Sequence, residues 1–276
     1  TNVEVRMVML CVKVGKEDLI QFLSLIDKND WIAETKEDGD RVRLRVQDNK
    51  ISLTNRRGKD ITFVYPELQS FPTNRELFLD GEMCVLDDDG VSQFNTGIAF
   101  RSHCKNPERI REGMASHPVT FVIFDVLELD RIDLRGETLR IRRNYLEKLN
   151  LNHKNIKVIE QFTDIKSAWN RIEVRKEEGL ILKNLNSLYR EGYRSCSWRK
   201  VKNLKEVDLK FTKYDVNPQG ITVENSDGIR VLVAGRHQYD VRDTIDKEGE
   251  AEITVRHLGV TKAGKYRQPT YMKIVR

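Results

Sequence analysis

At 276 residues, with 39% hydrophobic and 33% charged side chains, the chain has the balance of a water-soluble globular protein with room for two cores of unequal size. No run approaches the roughly 18 apolar residues of a membrane-spanning helix, and the four cysteines, Cys11, Cys84, Cys104 and Cys196, lack C-x-x-C spacing, which argues against a zinc site or disulfide framework and for a reducing intracellular compartment. The formal net charge of +5 suits a phosphate-rich partner without requiring one.

The opening Thr1-Asn-Val-Glu-Val-Arg6 has neither an initiator methionine nor the basic-then-apolar pattern of a signal peptide, as expected of a chain trimmed at this end. From Lys16 to Ile26, apolar residues recur at helical spacing, and Glu17 and Asp18 suit a first turn. Next comes Trp31-Ile-Ala-Glu34-Thr-Lys36-Glu-Asp38-Gly39-Asp-Arg41, a short apolar run, a lysine and an Asp-Gly pair that predicts a hairpin turn with glycine at positive φ. Arg41 to Val46 alternates at period two, placing three arginines on one strand face and three aliphatics on the other. A lysine fixed beside a cationic face and partly buried is expected to lose its proton readily, which makes Lys36 the candidate nucleophile.

Lys50 to Lys59 reads as a strand entering a basic turn, where Arg56 or Arg57 offers a planar fork to a phosphate unless the turn is simply solvated. Pro66 and Pro72 mark loops. In Glu76 to Leu86 the apolar run carries Asp80 and Glu82, carboxylates that must be paired, hydrogen-bonded or bound to a ligand or metal. Asn106-Pro107 is a helix start, with a capping side chain followed by proline. Thr120 to Leu127 reads as a buried strand in which Phe124 either stacks on a base or belongs to the core.

Amphipathic helices are predicted around Glu137 to Leu149 and Ile165 to Glu177, the second with Ile165, Ala168, Trp169 and Ile172 on one stripe and a glycine terminus at Gly179. Glu178-Gly-Leu-Ile-Leu-Lys183 is an apolar strand with a charge at each end, and Ser197 to Lys202 puts Lys200 and Lys202 on one strand face, where they repel each other unless water or an anion intervenes. From Val207 onward short alternating segments (Val207 to Val216, Gly220 to Glu224, Ile229 to Ala234, Ala251 to Leu258) predict a small five-stranded barrel, with a boundary near Asn203.

Taken in order, Lys36-Glu-Asp-Gly-Asp-Arg41, Asp80-Gly-Glu82, Phe124-Asp-Val126, Glu178-Gly-Leu-Ile-Leu-Lys183 and Lys200-Val-Lys202 resemble the ordered motifs of ATP-dependent DNA ligases, members of the covalent nucleotidyltransferases. The resemblance covers nearly the whole chain. It implies an α+β fold: an adenylation (nucleotidyltransferase, ATP-grasp-like) domain of antiparallel sheets and helices over residues 1–203, then an OB-fold β-barrel over 204–276. It further implies an intracellular, cytoplasmic protein of prokaryotic or viral origin that acts as a monomer on nicked double-stranded DNA. ATP would be the co-substrate and Mg2+, or Mn2+, the metal.

By the same resemblance Lys36 attacks the α-phosphate to form lysyl-AMP, the AMP passes to the 5′-phosphate of a nick, and the 3′-hydroxyl then seals it. Glu34 and Phe124 are expected in the adenine pocket, Arg41 and Arg56 on sugar or phosphates, and Glu82 at the ribose or a metal. Glu178 is expected at the metal, Lys200 and Lys202 at the α-phosphate, and Lys183 among the nucleotide contacts. RNA ligases and capping enzymes share the lysine chemistry and are the nearest alternative. The chain stops at Lys273-Ile-Val-Arg276, where the family's closing Arg-x-Asp-Lys element is incomplete or absent, and no helical DNA-binding domain precedes the core. Either a minimal enzyme or a fragment is expected.

Overall fold

The structure is a computed structural model that describes residues 8–71, 73–261 and 264–275. The opening hexapeptide, Pro72 and the terminal Arg276 singled out above lie outside the described residues. The chain divides into two compact units, Thr1–Lys202 and Asn203–Arg276.

In chain order the first unit runs β1 (Leu10–Val14), α1 (Leu19–Leu25), β2 (Trp31–Thr35), β3 (Asp40–Gln47), β4 (Lys50–Asn55) and β5 (Leu77–Cys84). Then come α2 (Ala99–Ser102), α3 (Pro107–Ser116), β6 (Thr120–Leu129), β7 (Ile132–Asp133), α4 (Leu139–Lys148), β8 (Ile156–Val158) and β9 (Gln161–Phe162). It closes with α5 (Ile165–Arg175), β10 (Gly179–Asn184) and β11 (Arg194–Lys202). One sheet has the order β1-β11-β10-β2-β9, and the other β4-β3-β5-β6-β7 with β8 paired to β6.

Alternation along the strands decides what each sheet covers. The aliphatics Val42, Leu44 and Val46 of β3 join Leu53, Leu79, Phe121 and Ile123 in one core, each fully buried aliphatic contributing roughly 1.5–3 kcal/mol. The opposite face supplies Phe78, Val122 and Phe124 to a second core with Trp198 of the other sheet and Tyr189 of the segment between β10 and β11. The far side of that other sheet is packed by α1 and by the predicted stripe of α5, Ile165, Ala168, Trp169 and Ile172. The two sheets therefore face each other between helical layers. Asn106 caps α3 by accepting from the Arg109 amide at 2.8 Å, with Pro107 in the first turn. Within β6, Asp125 and Arg142 of α4 form a fully buried bidentate pair at 2.8 and 2.8 Å.

Two local expectations are overturned. Asp38-Gly39 does not close a hairpin: β2 pairs with β9 and β10, β3 with β4 and β5, and the dipeptide carries the chain from one sheet to the other. Gly39 has no positive φ; a Cβ there would lie 2.3 Å from the Met83 carbonyl oxygen, so the glycine permits close approach rather than a turn. The hairpin is one connection later, where Asp48 (φ 48°) and Asn49 (φ 58°) join β3 to β4 as a two-residue turn with both central residues left-handed. Likewise α5 ends not on Gly179 but on Lys176, left-handed at φ 56°. Gly179 begins β10, where a Cβ would meet the Val201 carbonyl at 2.0 Å.

The second unit contains β12 (Lys205–Phe211), β13 (Lys213–Asn217), β14 (Gly220–Glu224), β15 (Arg230–Ala234), α6 (His237–Glu248), β16 (Ala251–His257) and β17 (Thr270–Ile274). The strands form two three-stranded sheets, β12-β16-β17 and β13-β14-β15, and the described residues make no closed barrel. The stretch read as one strand from Val207 to Val216 is broken between Phe211 and Lys213, and α6 and β17 escaped the sequence reading. Val241 and Ile245 of α6 pack with Phe211, Val223, Val233 and Ile253 in the unit's own core.

Candidate active site

A cavity of about 210 Å³ opens between the two sheets of the first unit. Its wall includes Glu34, Lys36, Arg41, Arg56, Glu82 and Phe124, with Lys183 and Lys200, so eight of the sequence-predicted residues converge there. Sheet order explains the convergence, since β2, β10 and β11 are neighbours in one sheet and β3, β5 and β6 in the other.

Lys36 stands one residue past the end of β2, its backbone N–H donating to the Gly179 carbonyl at 2.8 Å. Because Leu180 pairs with Thr35 and Gly179 with Lys202, Glu178 falls between two lysines. Its Oε2 lies 2.5 Å from the Lys36 Nζ and its Oε1 3.2 Å from the Lys202 Nζ. Glu178 thus lies between Lys36 and Lys202, not between Lys200 and Lys202 whose shared face called for an anion, and Lys202 stands at the edge of the cluster rather than in the cavity wall.

The electrostatics reverse the expectation for the nucleophile. Burial pulls the Lys36 pKa down, but the Glu178 charge and hydrogen bond, with Glu82 and Asp38 behind them, outweigh it and leave Lys36 above the ordinary lysine value. The neighbouring arginine face is not the free cationic field expected either. Arg41 makes a bidentate pair with buried Asp80 at 2.6 and 2.6 Å, Arg45 reaches Glu128 at 2.6 Å, and Arg43 lies 3.6 Å from Glu191. The lowered lysine is instead Lys200, held below its usual value by burial, only partly offset by Cys11, and by Lys202, Lys36 and Arg194.

Asp80 and Glu82, on one face of β5, have opposite fates. Asp80 is fully buried and accepts from Arg41 and from the Tyr189 hydroxyl at 2.5 Å. The Glu82 carboxylate makes no hydrogen bond or ion pair among the described residues, and burial pushes its pKa up to about 8, with Arg41 and Lys36 opposing. Among the described residues no group of three or more His, Cys, Asp or Glu gathers as a ready metal cage.

At the apolar end, Phe124 meets Trp198 edge to face at 6.2 Å, and the Arg41 guanidinium lies 4.5 Å from the Phe124 centroid. Lys183 is buried with its Nζ 2.5 Å from Glu34 Oε2, 4.4 Å from the Phe124 ring and 4.2 Å from the Trp198 ring. The other Glu34 oxygen accepts from the Gln161 amide at 2.9 Å. Arg56 is exposed at the rim, without an ion pair among the described residues. Sequence reading missed Cys11, Ile181, Arg194 and Trp198 in the wall. Of these only Trp198 carried a signal, as an aromatic two residues before Lys200 on an alternating strand.

The sequence model described as ATP dependent DNA ligase domain matches residues 8–202, the whole described part of this unit. The chain belongs to the ATP-dependent DNA ligase family. This ligase is 27% identical over 259 residues to the SPbeta prophage-derived DNA ligase-like protein LigB of Bacillus subtilis, a match covering 89% of this chain and 92% of that one. It is also 27% identical over 257 residues to the bifunctional non-homologous end joining protein LigD of the same organism, of which it spans 42%. Its fold superimposes on a structure from a study of Lig E DNA ligases as minimal DNA-binding scaffolds, with TM-score 0.70 at 19% identity, covering 98% and 99% of the two chains. A mycobacterial DNA ligase D complexed with ATP and MES gives TM-score 0.63 at 21% identity over 100% and 96%. In the ligase the mixed α/β nucleotidyltransferase fold thus frames the cavity around Lys36. No helix among its described residues is long and apolar enough to cross a membrane.

Proposed function

We propose that the cavity binds ATP with its base toward Phe124, Trp198 and Glu34 and its phosphates toward Lys36 and Lys200, and that Lys36 is the nucleophile of nick sealing. The carrying observation is a lysine and unpaired cations in one cavity wall, with a carboxylate behind the lysine: Lys36 at 2.5 Å from Glu178, which lies outside the wall, and Lys200 and Arg56 with no carboxylate partner among the described residues.

Attack requires the neutral amine. The Lys36 ammonium must give up a proton, and Glu178 is the base placed to receive it. The Nζ–Pα bond then forms as the bond from Pα to the pyrophosphate oxygen breaks, with charge neutralised by Lys200 and Arg56. Arg41, fixed by Asp80 and Tyr189, is a rigid donor for the sugar, and Lys183 completes the base pocket. Transfer of AMP to a 5′-phosphate and attack by the 3′-hydroxyl need positioning more than acid-base groups.

The carboxylate of Glu82, lacking a hydrogen bond or ion pair, fits a hard divalent cation such as Mg2+ or Mn2+, whereas both oxygens of Glu178 are occupied by lysines. Such a cation bound at Glu82 would supply charge neutralisation at the phosphates. Lys202 acts through Glu178.

The first unit is read as the adenylation domain and the second, with its two small sheets and central helix, as an OB-like module that tracks duplex DNA. The protein is read as a monomer acting on nicked double-stranded DNA in a reducing cytoplasm, where its four cysteines stay free. Incubation with labelled ATP and denaturing electrophoresis tests the covalent step. Sealing assays on nicked DNA, nicked DNA-RNA hybrid and single-stranded RNA test the substrate, and preferential joining of RNA would overturn the DNA reading.

A further inference from the structure

Glu34 is the most tightly gripped acid in the cavity wall. It is 1% exposed, and it is held from both sides by its neighbours in the sheet. On one side Gln161 of β9, its register partner, donates from the side-chain amide to Oε1 at 2.9 Å. On the other, Lys183 of β10 brings its ammonium to 2.5 Å from Oε2. The Lys183 Nζ is itself fully enclosed and, although so close to a carboxylate, makes no well-aligned hydrogen bond to it. The pair therefore holds the carboxylate in place by charge, while Gln161 supplies the directed bond that sets its rotation.

We propose that Gln161, which belongs to no motif, is a specificity-positioning residue that makes the pocket select adenine over guanine by orienting Glu34. The inference rests on the ATP-binding reading of the cavity. A carboxylate accepts at about four lone-pair positions and donates at none. With one oxygen bound to Gln161 and the other facing Lys183, the remaining positions are fixed in direction and can accept only from a donor. The six-position of adenine offers an amine donor; that of guanine offers a carbonyl acceptor, which would meet, acceptor to acceptor, a carboxylate that is only 1% exposed. Left free to turn, Glu34 could rotate away and relieve that conflict. Discrimination therefore depends on the residue that prevents rotation, and sites of this kind reject a mismatched partner because buried polar groups are left unpaired.

Self-adenylation rates with ATP, GTP and purine riboside triphosphate, which lacks the six-amino group, test this in wild type, Gln161→Leu and Gln161→Asn. Wild type is expected to prefer ATP over both. In Gln161→Leu the ATP preference over each analogue should shrink about tenfold, as expected for one directed hydrogen bond. Gln161→Asn keeps the amide but sets it back by one methylene, and should shrink the preference by an intermediate factor. A simple loss of folding would lower all three rates together and leave their ratios unchanged. If both variants retain the wild-type ratios, the proposal is wrong while the ATP reading stands. If wild type is labelled by none of the nucleotides, the ATP reading falls and takes the proposal with it.

Discussion

Replacing Gly39 by alanine separates two explanations of the residue beside the nucleophile. As a turn glycine it would be needed for positive φ; in the structure its φ is ordinary and what it lacks is room. An added Cβ would sit 2.3 Å from the Met83 carbonyl oxygen and 2.9 Å from both Cys84 Sγ and Glu82 Cγ. The first distance is about 1.1 Å short of the 3.4 Å at which ordinary contact begins. Backbone on both sides has to move by roughly that amount, and the two segments involved carry Lys36 and Glu82.

Overpacking of this kind costs about 1–3 kcal/mol, and misplacing a reacting group by about 1 Å lowers the rate roughly 100-fold. Single-turnover self-adenylation with labelled ATP, measured alongside the melting temperature, is the assay. Gly90→Ala is the control: it adds strain at φ 74° in open space and is expected to lower the melting point without slowing adenylation. A Gly39→Ala enzyme that melts early but adenylates at the wild-type rate would refute the positioning argument, because the clash would then be absorbed away from the site.

Lys36→Ala should abolish labelling by ATP yet retain joining on a pre-adenylated nick, a difference read directly on a denaturing gel; an alanine variant that still forms a stable adenylate would remove Lys36 from its role. Since the Lys36 pKa is raised, the amine fraction is small at neutral pH and self-adenylation should climb with pH about tenfold per unit until another step limits it. Glu82 holds a proton below its pKa of about 8, so the Mg2+ concentration for half-maximal activity should fall as pH rises toward 8 and level off above it; Glu82→Gln should flatten that dependence, and an unchanged slope would mean the cation binds elsewhere. Sealing should decline steeply between roughly 50 and 200 mM salt if phosphate contacts dominate DNA affinity, and a flat response would point to a non-ionic surface.

Features set by near neighbours in sequence were legible before the structure. Asn106-Pro107 starts α3 as its capping chemistry requires, and the stripe Ile165, Ala168, Trp169 and Ile172 of α5 is buried as its spacing implies. Features set by distant partners were not. Asp38-Gly39 looked like a hairpin because pairing was assumed to be local, whereas β2 finds its partners in β9 and β10, more than 120 residues downstream. Gln161 carries no mark in its own segment; its meaning comes entirely from lying opposite Glu34.

The raised pKa of Lys36 likewise comes from a distant partner, Glu178, 142 residues downstream. Three cations of the cavity, Lys36, Arg41 and Lys183, each have a carboxylate to themselves or nearly so, in Glu178, Asp80 and Glu34. Positive charge left over for a triphosphate therefore resides in Arg56, Arg194 and Lys200, none of which makes an ion pair among the described residues. Forming lysyl-AMP removes the Lys36 charge, so Glu178 loses its closer partner and keeps only Lys202 at 3.2 Å. Once the proton that Glu178 took from Lys36 has passed to solvent, the former ion pair has become a carboxylate with a free oxygen beside the new phosphoramidate. On this reading Glu178 serves the first step as a base and becomes available to a cation only afterwards, and a Glu178→Gln enzyme should lose activity in both steps for different reasons.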